Sequence, residues 1–244
     1  DNQNVSVEVT TTERSGILKF KSFTKSEKSI VVDVGRSLGI VGGGKIKIVS
    51  DSEIEGYNIS GGFCGEANRE EVYFTSKFSK NFDRHKIWTN DRFADLTEAQ
   101  IIDSSIGALL NLNMNENEEL LVKVGISYVS IENARLNLNT EIPDWDFDRI
   151  RKDAQDKWEK QLTRIIVEDG NTENLIKFYT AIYHTLIHPN IISDVNGEYP
   201  LMGRNGIGRY NDCKRYSVFS LWDTYRTLHP FYNIVYPEIQ SEVI

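Results

Sequence analysis

The sequence has little of several features that define specialised classes of protein. Its 244 residues include two cysteines, Cys64 and Cys213, which lie far apart and form no Cys-x-x-Cys pair. Two thiols can build neither a disulfide framework nor a cysteine-rich zinc site, and the sequence leaves open whether they bridge each other or stay reduced. No apolar run approaches the length that crosses a membrane. A disulfide scaffold, a cysteine-rich zinc module and a membrane span are therefore excluded.

The chain also lacks an excess of positive charge. Lys and Arg number 28 against 36 Asp and Glu, which gives a net charge of −8. Nucleic acids and anionic membrane surfaces bind basic patches, so neither is expected as a partner. Neither a signal peptide nor an initiator methionine opens the chain, which begins DNQNVSVEV. We therefore expect that the N-terminus was removed, by processing or by the choice of boundaries.

The residues that are present have the pattern of an antiparallel β protein over the first half. Val5, Val7 and Val9 alternate with polar residues, as in a half-buried strand. Many short strands with frequent turns and no helical periodicity between them predict an antiparallel β-sandwich. Turns rich in Gly, Ser, Asn and Asp separate the later segments, which are ILKF (17–20), SIVVDV (29–34), KIKIV (45–49), EVYFTSKFS (71–79), HKIW (85–88), ALLNLNM (108–114) and LLVKVGISYV (120–129).

Helical periodicity replaces the strands after Ser130. A short helix is expected over 131–139, and apolar residues at steps of three and four predict a long helix from an N-cap at Asp146 to a stop at Gly170. A second long helix should end before Pro189, an irregular glycine-rich loop should follow, and a third helix should start near Ser220. The single change from strands to helices indicates a domain boundary near residue 130.

Two short patterns resemble binding motifs, but their local sequence favours structural roles. Gly39–Lys45 nearly matches a phosphate-binding loop, yet Ile46 replaces the required Ser or Thr and the segment continues as a strand, which favours a glycine-rich turn. Asp194–Glu198 resembles the start of a calcium loop, but Pro200 and its neighbours supply no further oxygen ligands. A tight turn with Asn196-Gly197 at its corner is the better interpretation.

His184 and His188 stand four residues apart in the second predicted long helix, a spacing that lets two imidazoles share a metal. No Glu lies between them, so the zinc metalloprotease pattern fails. Packing, and for His188 a favourable position at the end of the helix dipole, explain the pair better than a metal does.

The segment FSLWDTYRTLHP (219–230) concentrates side chains that carry chemistry. Ser220 and Asp223 have the spacing of a capping box, and Trp222 suits a core position equally well. The same Trp-Asp neighbours also suit sugar recognition, because a carboxylate accepts hydrogen bonds from two adjacent hydroxyls while an aromatic face covers the apolar side of a pyranose. The residues alone leave these structural and sugar-binding interpretations equally open.

Three long segments, in the same order and at the same spacing, resemble glycoside hydrolase family 92, the calcium-dependent α-mannosidases. They are GISYVSIENARLNLNTEIPDWDFD (125–148), FYTAIYHTLIHPNIISDVNGEY (178–199) and YSVFSLWDTYRTLHP (216–230). The resemblance extends from about residue 30 to the end. It implies an α+β chain, in which an antiparallel β-sandwich is followed by linker helices and the first helix or helices of an (α/α)6 toroid. The domains implied are 1–130 for the sandwich, 131–170 for the linker helices and 171–244 for the start of the helical catalytic domain.

The resemblance also implies an activity. Members of the family remove mannose from α-mannosides, often the α-1,2 bonds of high-mannose N-glycans, with inversion and with calcium touching the sugar. Trp222 and Asp223 match the family's Trp-Asp-Thr motif and are expected to bind substrate. Phe63 follows Gly61-Gly62 in a sandwich loop that resembles the one reaching toward the family's active site, where Trp is frequent in its place. The expected partners are mannose-containing glycans, and the expected location is secreted, periplasmic or cell-surface in a bacterium.

The chain departs from the family pattern at both ends. The family's catalytic Glu and Asp and its calcium ligands lie further along the chain than Ile244, so no catalytic residue and no metal ligand is assigned among these residues. We therefore expect an interior fragment, inactive by itself, whose exposed strand edges and helix faces are covered by missing segments or another chain. The alternatives are a non-catalytic carbohydrate-binding β-sandwich module and a purely structural domain in which Trp222 is core and Asp223 a cap.

Overall fold

The computed structural model describes residues 4–62, 69–203, 205–217 and 220–243. The chain divides into two compact units, Asp1–Ile150 and Arg151–Ile244. The strands of the first unit are β1 (Val5–Thr11), β2 (Ser15–Ser22), β3 (Ser26–Asp33), β4 (Gly43–Ser50), β5 (Glu53–Gly61), β6 (Arg69–Phe78), β7 (Arg84–Thr89), β8 (Arg92–Ala94), β9 (Glu98–Ile102), β10 (Ile106–Met114) and β11 (Glu119–Ser127).

The later elements are helical apart from one short hairpin. They are α1 (Ile131–Glu141), α2 (Phe147–Leu162), α3 (Thr172–Leu186), β12 (Glu198–Pro200), β13 (Ile207–Arg209), α4 (Leu221–Thr224), α5 (Leu228–Val235) and α6 (Pro237–Val243). Among the described residues, no helix is both long and apolar enough to span a membrane.

Two antiparallel sheets form the first unit. One has seven strands in the order β1-β2-β11-β6-β5-β4-β9, and the other has four in the order β3-β10-β7-β8. Strand β10 shows the alternation that drives their packing, because every second side chain from Ile106 to Met114 is at most 3% exposed. These side chains pack with residues of the larger sheet such as Ile46 and Ile54 in one core. The predicted β-sandwich followed by helices is confirmed.

Helix α1 packs closely against strand β11 because of one glycine. A Cβ atom at Gly125 would lie 2.4 Å from the carbonyl oxygen of Ala134 and 2.6 Å from Cβ of Leu138. The helix begins at an N-cap, Ser130, whose side chain accepts a hydrogen bond from the backbone N–H of Asn133 at 3.1 Å. Gly125 and Ser130 together fix where the chain leaves the sheet and starts its helical part.

The segment after α1 is held to the sheet by a buried lysine. Lys123 of β11 is 4% exposed, and its Nζ donates to the carbonyl oxygen of Ile142 at 2.9 Å. The same ammonium lies 4.6 Å from the ring centroid of Trp145. Burial, with added repulsion from Lys77, lowers the pKa of Lys123. The charged side chain of Lys123 therefore holds the segment from Ile142 to Trp145, which follows α1, against strand β11.

Helix α2 begins as predicted but ends early. Asp146 acts as its N-cap, since its Oδ1 accepts from the backbone N–H of Arg149 at 3.0 Å. The helix stops at Leu162 rather than at Gly170, and its last turn tightens as Arg164 N–H bonds to the Gln161 carbonyl at 3.4 Å. The later apolar residue Ile165 packs against the core of the second unit, which is why helical spacing continues in the sequence beyond the helix.

The second unit has its own core around Ile182, Tyr232 and Tyr236. The Tyr236 hydroxyl donates to the Gln161 carbonyl at 3.0 Å, and Tyr232 donates to the Thr185 carbonyl. Burial raises the pKa of Tyr232 to about 12. The tyrosines thus join α5 to the preceding helices through hydrogen bonds as well as through apolar area.

Candidate functional site

The segment with the candidate residues folds as one helical turn followed by a second helix. Ser220 is the N-cap of α4, a helix of four residues, and α5 starts at Leu228. The start of a helix near Ser220 is therefore confirmed. The capping box is not: Ser220 makes no side-chain cap bond, and its Oγ instead donates to Oδ2 of Asp223 at 2.7 Å. The Ser220 hydroxyl is thus a donor to a carboxylate, a charge-assisted hydrogen bond, and not an acceptor for the start of the helix.

Both predicted substrate-binding residues of this segment lie on the surface. Trp222 is 75% exposed, and no residue of α4 is buried. Within this chain Trp222 is therefore not a core residue, because its ring packs in no apolar cluster of the described residues.

Arg226 organises the aromatic side of this surface. Its guanidinium carbon lies 5.6 Å from the Trp222 ring centroid and 5.5 Å from that of Tyr225. Its Nε also donates to the Tyr225 hydroxyl at 3.3 Å. A guanidinium shared by two rings restricts how both can turn. These residues are neighbours in the sequence, but their spacing does not reveal that one guanidinium contacts both rings.

A polar relay anchors the turn to the helices that follow it. The Thr224 hydroxyl donates to the Ser220 carbonyl at 3.1 Å and lies 3.0 Å from Nε2 of His229. Nδ1 of His229 lies 3.1 Å from Oε1 of Gln240, a residue that is 5% exposed. The imidazole thus connects α4 to α6 through α5. Sequence reasoning missed Gln240, because nothing in its local pattern distinguishes it from a surface glutamine.

The third predicted substrate-binding residue, Phe63, lies outside the described residues, as does Cys64. The glycines before it are described: Gly61 ends β5, and Gly62 has a φ of 75°. A Cβ atom at Gly62 would lie 2.4 Å from Cγ1 of Ile40. The backbone here therefore requires glycine both for its conformation and for its close approach to a neighbouring loop.

The two glycine-containing motifs have the structural roles that sequence analysis favoured. Lys45 lies within β4 and pairs with Glu98 at 2.5 Å, so the segment is a strand and not a phosphate loop. Gly197 has a φ of 82°, and its N–H bonds to the Asp194 carbonyl at 2.9 Å, which confirms the tight turn. The predicted placement of both histidines on one helix is wrong, because α3 ends at Leu186 and His188 follows it.

Nowhere in the ranges that the structure describes do three His, Cys, Asp or Glu side chains gather closely enough to hold a metal ion. Asp223 is the one acid of its turn, and its carboxylate is engaged by Ser220. What the turn can do chemically is accept hydrogen bonds from a ligand beside an exposed aromatic ring.

Comparison with known proteins connects this arrangement to a family. The family model of the glycosyl hydrolase family 92 N-terminal domain matches residues 1–127, and that of the family 92 catalytic domain matches residues 133–244. A secreted glycosidase of Arthroderma benhamiae, itself uncharacterized, is 33% identical over 108 residues, which are 43% of this chain and 13% of the relative.

Solved structures agree with the family models. A family GH92 alpha-mannosidase from Bacteroides thetaiotaomicron, also solved in complex with mannoimidazole, superposes with a TM-score of 0.85 at 30% identity over 98% of this chain. An inverting family GH92 mannosidase of the same species has a TM-score of 0.86 at 25% identity, again over 98% of this chain. The chain spans about a third of each of these proteins, 32% of their length. With its two halves matching two successive domains, the chain belongs to glycosyl hydrolase family 92.

Proposed function

We propose that the protein containing this chain removes terminal mannose from α-mannosides such as high-mannose N-glycans, and that the α4 turn forms part of its mannose-binding surface. The observation that carries the proposal is the position of Trp222 beside Asp223 at the start of α4, in a chain that belongs to this family. In this proposal Asp223 accepts hydrogen bonds from sugar hydroxyls, while Trp222 covers the apolar face of the ring.

The hydrogen bond and the cation–π contacts around the turn support a binding role rather than a catalytic one. Ser220 donates to Oδ2 of Asp223 at 2.7 Å, which restrains the carboxylate that would accept hydroxyl protons. Arg226 holds the Trp222 ring while leaving most of that residue exposed. A pyranose would therefore meet a surface whose aromatic and acidic parts are already oriented, which lowers the entropy lost on binding.

The chemistry itself belongs in this proposal to residues outside the chain. An inverting hydrolase uses one carboxylic acid to protonate the leaving oxygen and a second carboxylate to activate water on the other side of the ring. We place both of these carboxylates, and the ligands of the calcium ion that assists them, beyond these 244 residues. Phe63 is proposed as a further substrate contact, and the whole protein as a bacterial enzyme that acts outside the cytoplasm on mannose-containing glycans.

The test is the substitution Asp223→Asn in the complete open reading frame. Asparagine keeps an oxygen for the Ser220 hydroxyl, so the fold of the turn is preserved while the charge is lost. The loss of charge-assisted hydrogen bonds to sugar should lower kcat/KM for an α-mannoside by about 10- to 100-fold. The matched control is Asp156→Asn, which removes an exposed carboxylate whose partner is Lys152 in the same helix. Equal kcat/KM values for the two variants would return Asp223 to a structural role.

A companion substitution separates a sugar-stacking role from a general effect on folding. Trp222→Ala should raise KM severalfold, whereas Trp222→Tyr should retain much of the affinity, because a tyrosine ring also covers the apolar face of a pyranose. Binding of mannosides by the isolated chain in the presence of a calcium chelator, with no hydrolysis by the complete protein, would favour the carbohydrate-binding module instead.

A further inference from the structure

The short hairpin formed by β12 and β13 carries two stacked tyrosines. The rings of Tyr199 and Tyr210 are nearly parallel, with an interplanar angle of 9° and a distance of 5.2 Å between their centroids. Arg215 lies over the Tyr199 ring, its guanidinium carbon 5.9 Å from the centroid. Tyr210 is still 46% exposed, so stacking leaves much of its surface accessible. The site proposed for α4 uses none of these residues.

The hairpin is built to hold these rings. Tyr199 pairs with Gly208 across the ladder, and a Cβ atom at Gly208 would lie 2.5 Å from Cζ of Tyr199 and 2.6 Å from its hydroxyl. The Tyr199 ring therefore lies across the position where any other residue would carry a side chain. Because side chains alternate along a strand, Gly208 and Tyr210 belong to one face of the hairpin and Ile207 to the other. Glycine at 208 thus lets Tyr199 reach Tyr210.

The backbone around the hairpin is also fixed. Gly197 N–H bonds to the Asp194 carbonyl, and Tyr210 N–H bonds to the Gly197 carbonyl, both at 2.9 Å. Arg209 Nε donates to the carbonyl oxygen of Asn196 at 3.0 Å. Partial desolvation beside the stacked Tyr210 ring raises the pKa of Tyr199. The backbone and Arg209 hydrogen bonds hold the hairpin that carries the two rings.

We propose that the exposed surface of Tyr210, supported by Tyr199 and Arg215, is a second carbohydrate-binding platform that takes one pyranose ring of a mannose-containing glycan. A rigid ring whose partner is already stacked loses little rotamer entropy when a sugar packs on it. The exposed Asn211 and Asp212 that follow Tyr210 supply donors and acceptors for sugar hydroxyls. The choice of mannose rests on the proposed function; the choice of a pyranose rests on the flat, partly exposed Tyr210 ring with the exposed side chains of Asn211 and Asp212 beside it.

A protein partner is the alternative occupant. Ile207 is 58% exposed, but it belongs to the opposite face of the hairpin from Tyr210, so the two do not make one apolar patch. Protein interfaces bury far more area than one tyrosine and its neighbours offer. A single sugar ring matches the size of this platform better, and Ile207 becomes the control residue for the test.

The experiment titrates methyl α-D-mannopyranoside into the 244-residue chain carrying Trp222→Ala, followed by calorimetry and by saturation-transfer NMR. Trp222→Ala removes the aromatic contact of the α4 turn, so binding at the hairpin is measured separately. Adding Tyr210→Ala should raise Kd at least about fivefold, and adding Tyr210→Phe should change it less than about twofold, since the stacking surface remains. Saturation transfer should be strongest at the ring C–H protons of the sugar.

Gly208→Ala tests the support of the platform. Its added methyl group displaces the Tyr199 ring without removing any group that touches the sugar, so Kd should rise as it does for Tyr210→Ala. Ile207→Ala should leave Kd unchanged, and circular dichroism of every variant verifies the fold. Absence of mannoside binding by the Trp222→Ala chain, or an unchanged Kd in Tyr210→Ala, would overturn the platform. Neither result changes the outcome of the kcat/KM test of Asp223. If that test failed, a positive titration at the hairpin would still support the platform.

Discussion

The ammonium of Lys123 lies 2.9 Å from the carbonyl oxygen of Ile142, so a cation inside the first unit fixes the linker at the end of α1. The carbonyl oxygens of Pro143 and Asp144 lie 3.4 Å from the same nitrogen. Three carbonyl dipoles and an aromatic face replace the water that burial removes from the charge. Stability and the path of the chain are therefore coupled at this residue.

Lys123→Ala should destabilise the chain by roughly 2–4 kcal/mol, because it leaves a cavity and buried carbonyl oxygens without a donor. Lys123→Met keeps most of the apolar stem and should lose less. Urea unfolding followed by circular dichroism measures both. Lys86→Ala, at an exposed position of the same unit, is the matched control and should change stability by less than about 0.5 kcal/mol. Equal losses of stability in Lys123→Ala and Lys86→Ala would contradict the role of Lys123 in holding the segment after α1.

Gly125→Ala should cost about 1–3 kcal/mol, because its methyl group would meet the backbone of α1 and the helix must move away from β11. The matched substitution is Gly170→Ala, where a Cβ atom would have nothing within 4 Å. That change should be neutral or stabilise by up to about 1 kcal/mol through the unfolded chain. Thermal unfolding of the two variants gives the comparison, and a stable Gly125→Ala variant would show that α1 does not depend on this close approach.

The stability of the second unit should fall as pH rises above 10. The folded pKa of Tyr232 is about 12, above its usual value of 10.0, so the folded state keeps a proton that the unfolded state releases. The contribution of Tyr232 to the free energy of unfolding is complete below pH 10 and is lost as pH rises through 12. The loss amounts to at most about 2–3 kcal/mol. The raised pKa of Tyr236 acts in the same direction.

Tyr232→Phe should be less stable than the parent at pH 8, because it lacks the bond to the Thr185 carbonyl, but should lose less stability between pH 8 and pH 11. Urea midpoints at the two pH values measure this difference. Tyr225→Phe removes a hydroxyl from an exposed ring and serves as the control. If the parent and Tyr232→Phe lost equal stability between pH 8 and pH 11, the loss could not be attributed to the Tyr232 hydroxyl.

The isolated chain should release no mannose from α-1,2-mannobiose, even with calcium, because the proposed function places the acid and the base elsewhere. Mannose release is measured enzymatically against the complete protein as positive control. Mannose release by the purified 244-residue chain would contradict the proposal. If the release persisted in the Asp223→Asn variant, catalytic groups other than those proposed would have to lie within the chain.

The sequence was informative where one periodicity prevailed. The predicted strand ALLNLNM (108–114), in which apolar and polar residues alternate over the second half, lies within β10. Strand β5 was missed because it mixes charged and aromatic residues with Gly56, whose Cβ would lie 2.0 Å from the Lys45 carbonyl. Glycine at this position lets the backbone of the neighbouring strand approach closely. A local pattern of apolar residues does not reveal that requirement for glycine.

The candidate site was predictable in its members but not in its contacts. The sequence placed Trp222 and Asp223 together and gave Ser220 the spacing of a capping box. Whether the Ser220 hydroxyl bonds a backbone N–H or the Asp223 side chain depends on backbone angles that spacing does not encode. The anchoring of His229 on Gln240 depends on the turn between α5 and α6, a tertiary feature beyond any local window.

The α4 turn has no buried residue and is tied down by the polar relay through Thr224 and His229. Opening it locally therefore breaks few interactions, and the amide protons of Asp223 and Thr224 should exchange with deuterium long before those of the sandwich strands. A bound sugar would slow that exchange in proportion to its occupancy. Slower deuterium exchange in this turn would therefore measure sugar binding directly, independently of any catalytic activity.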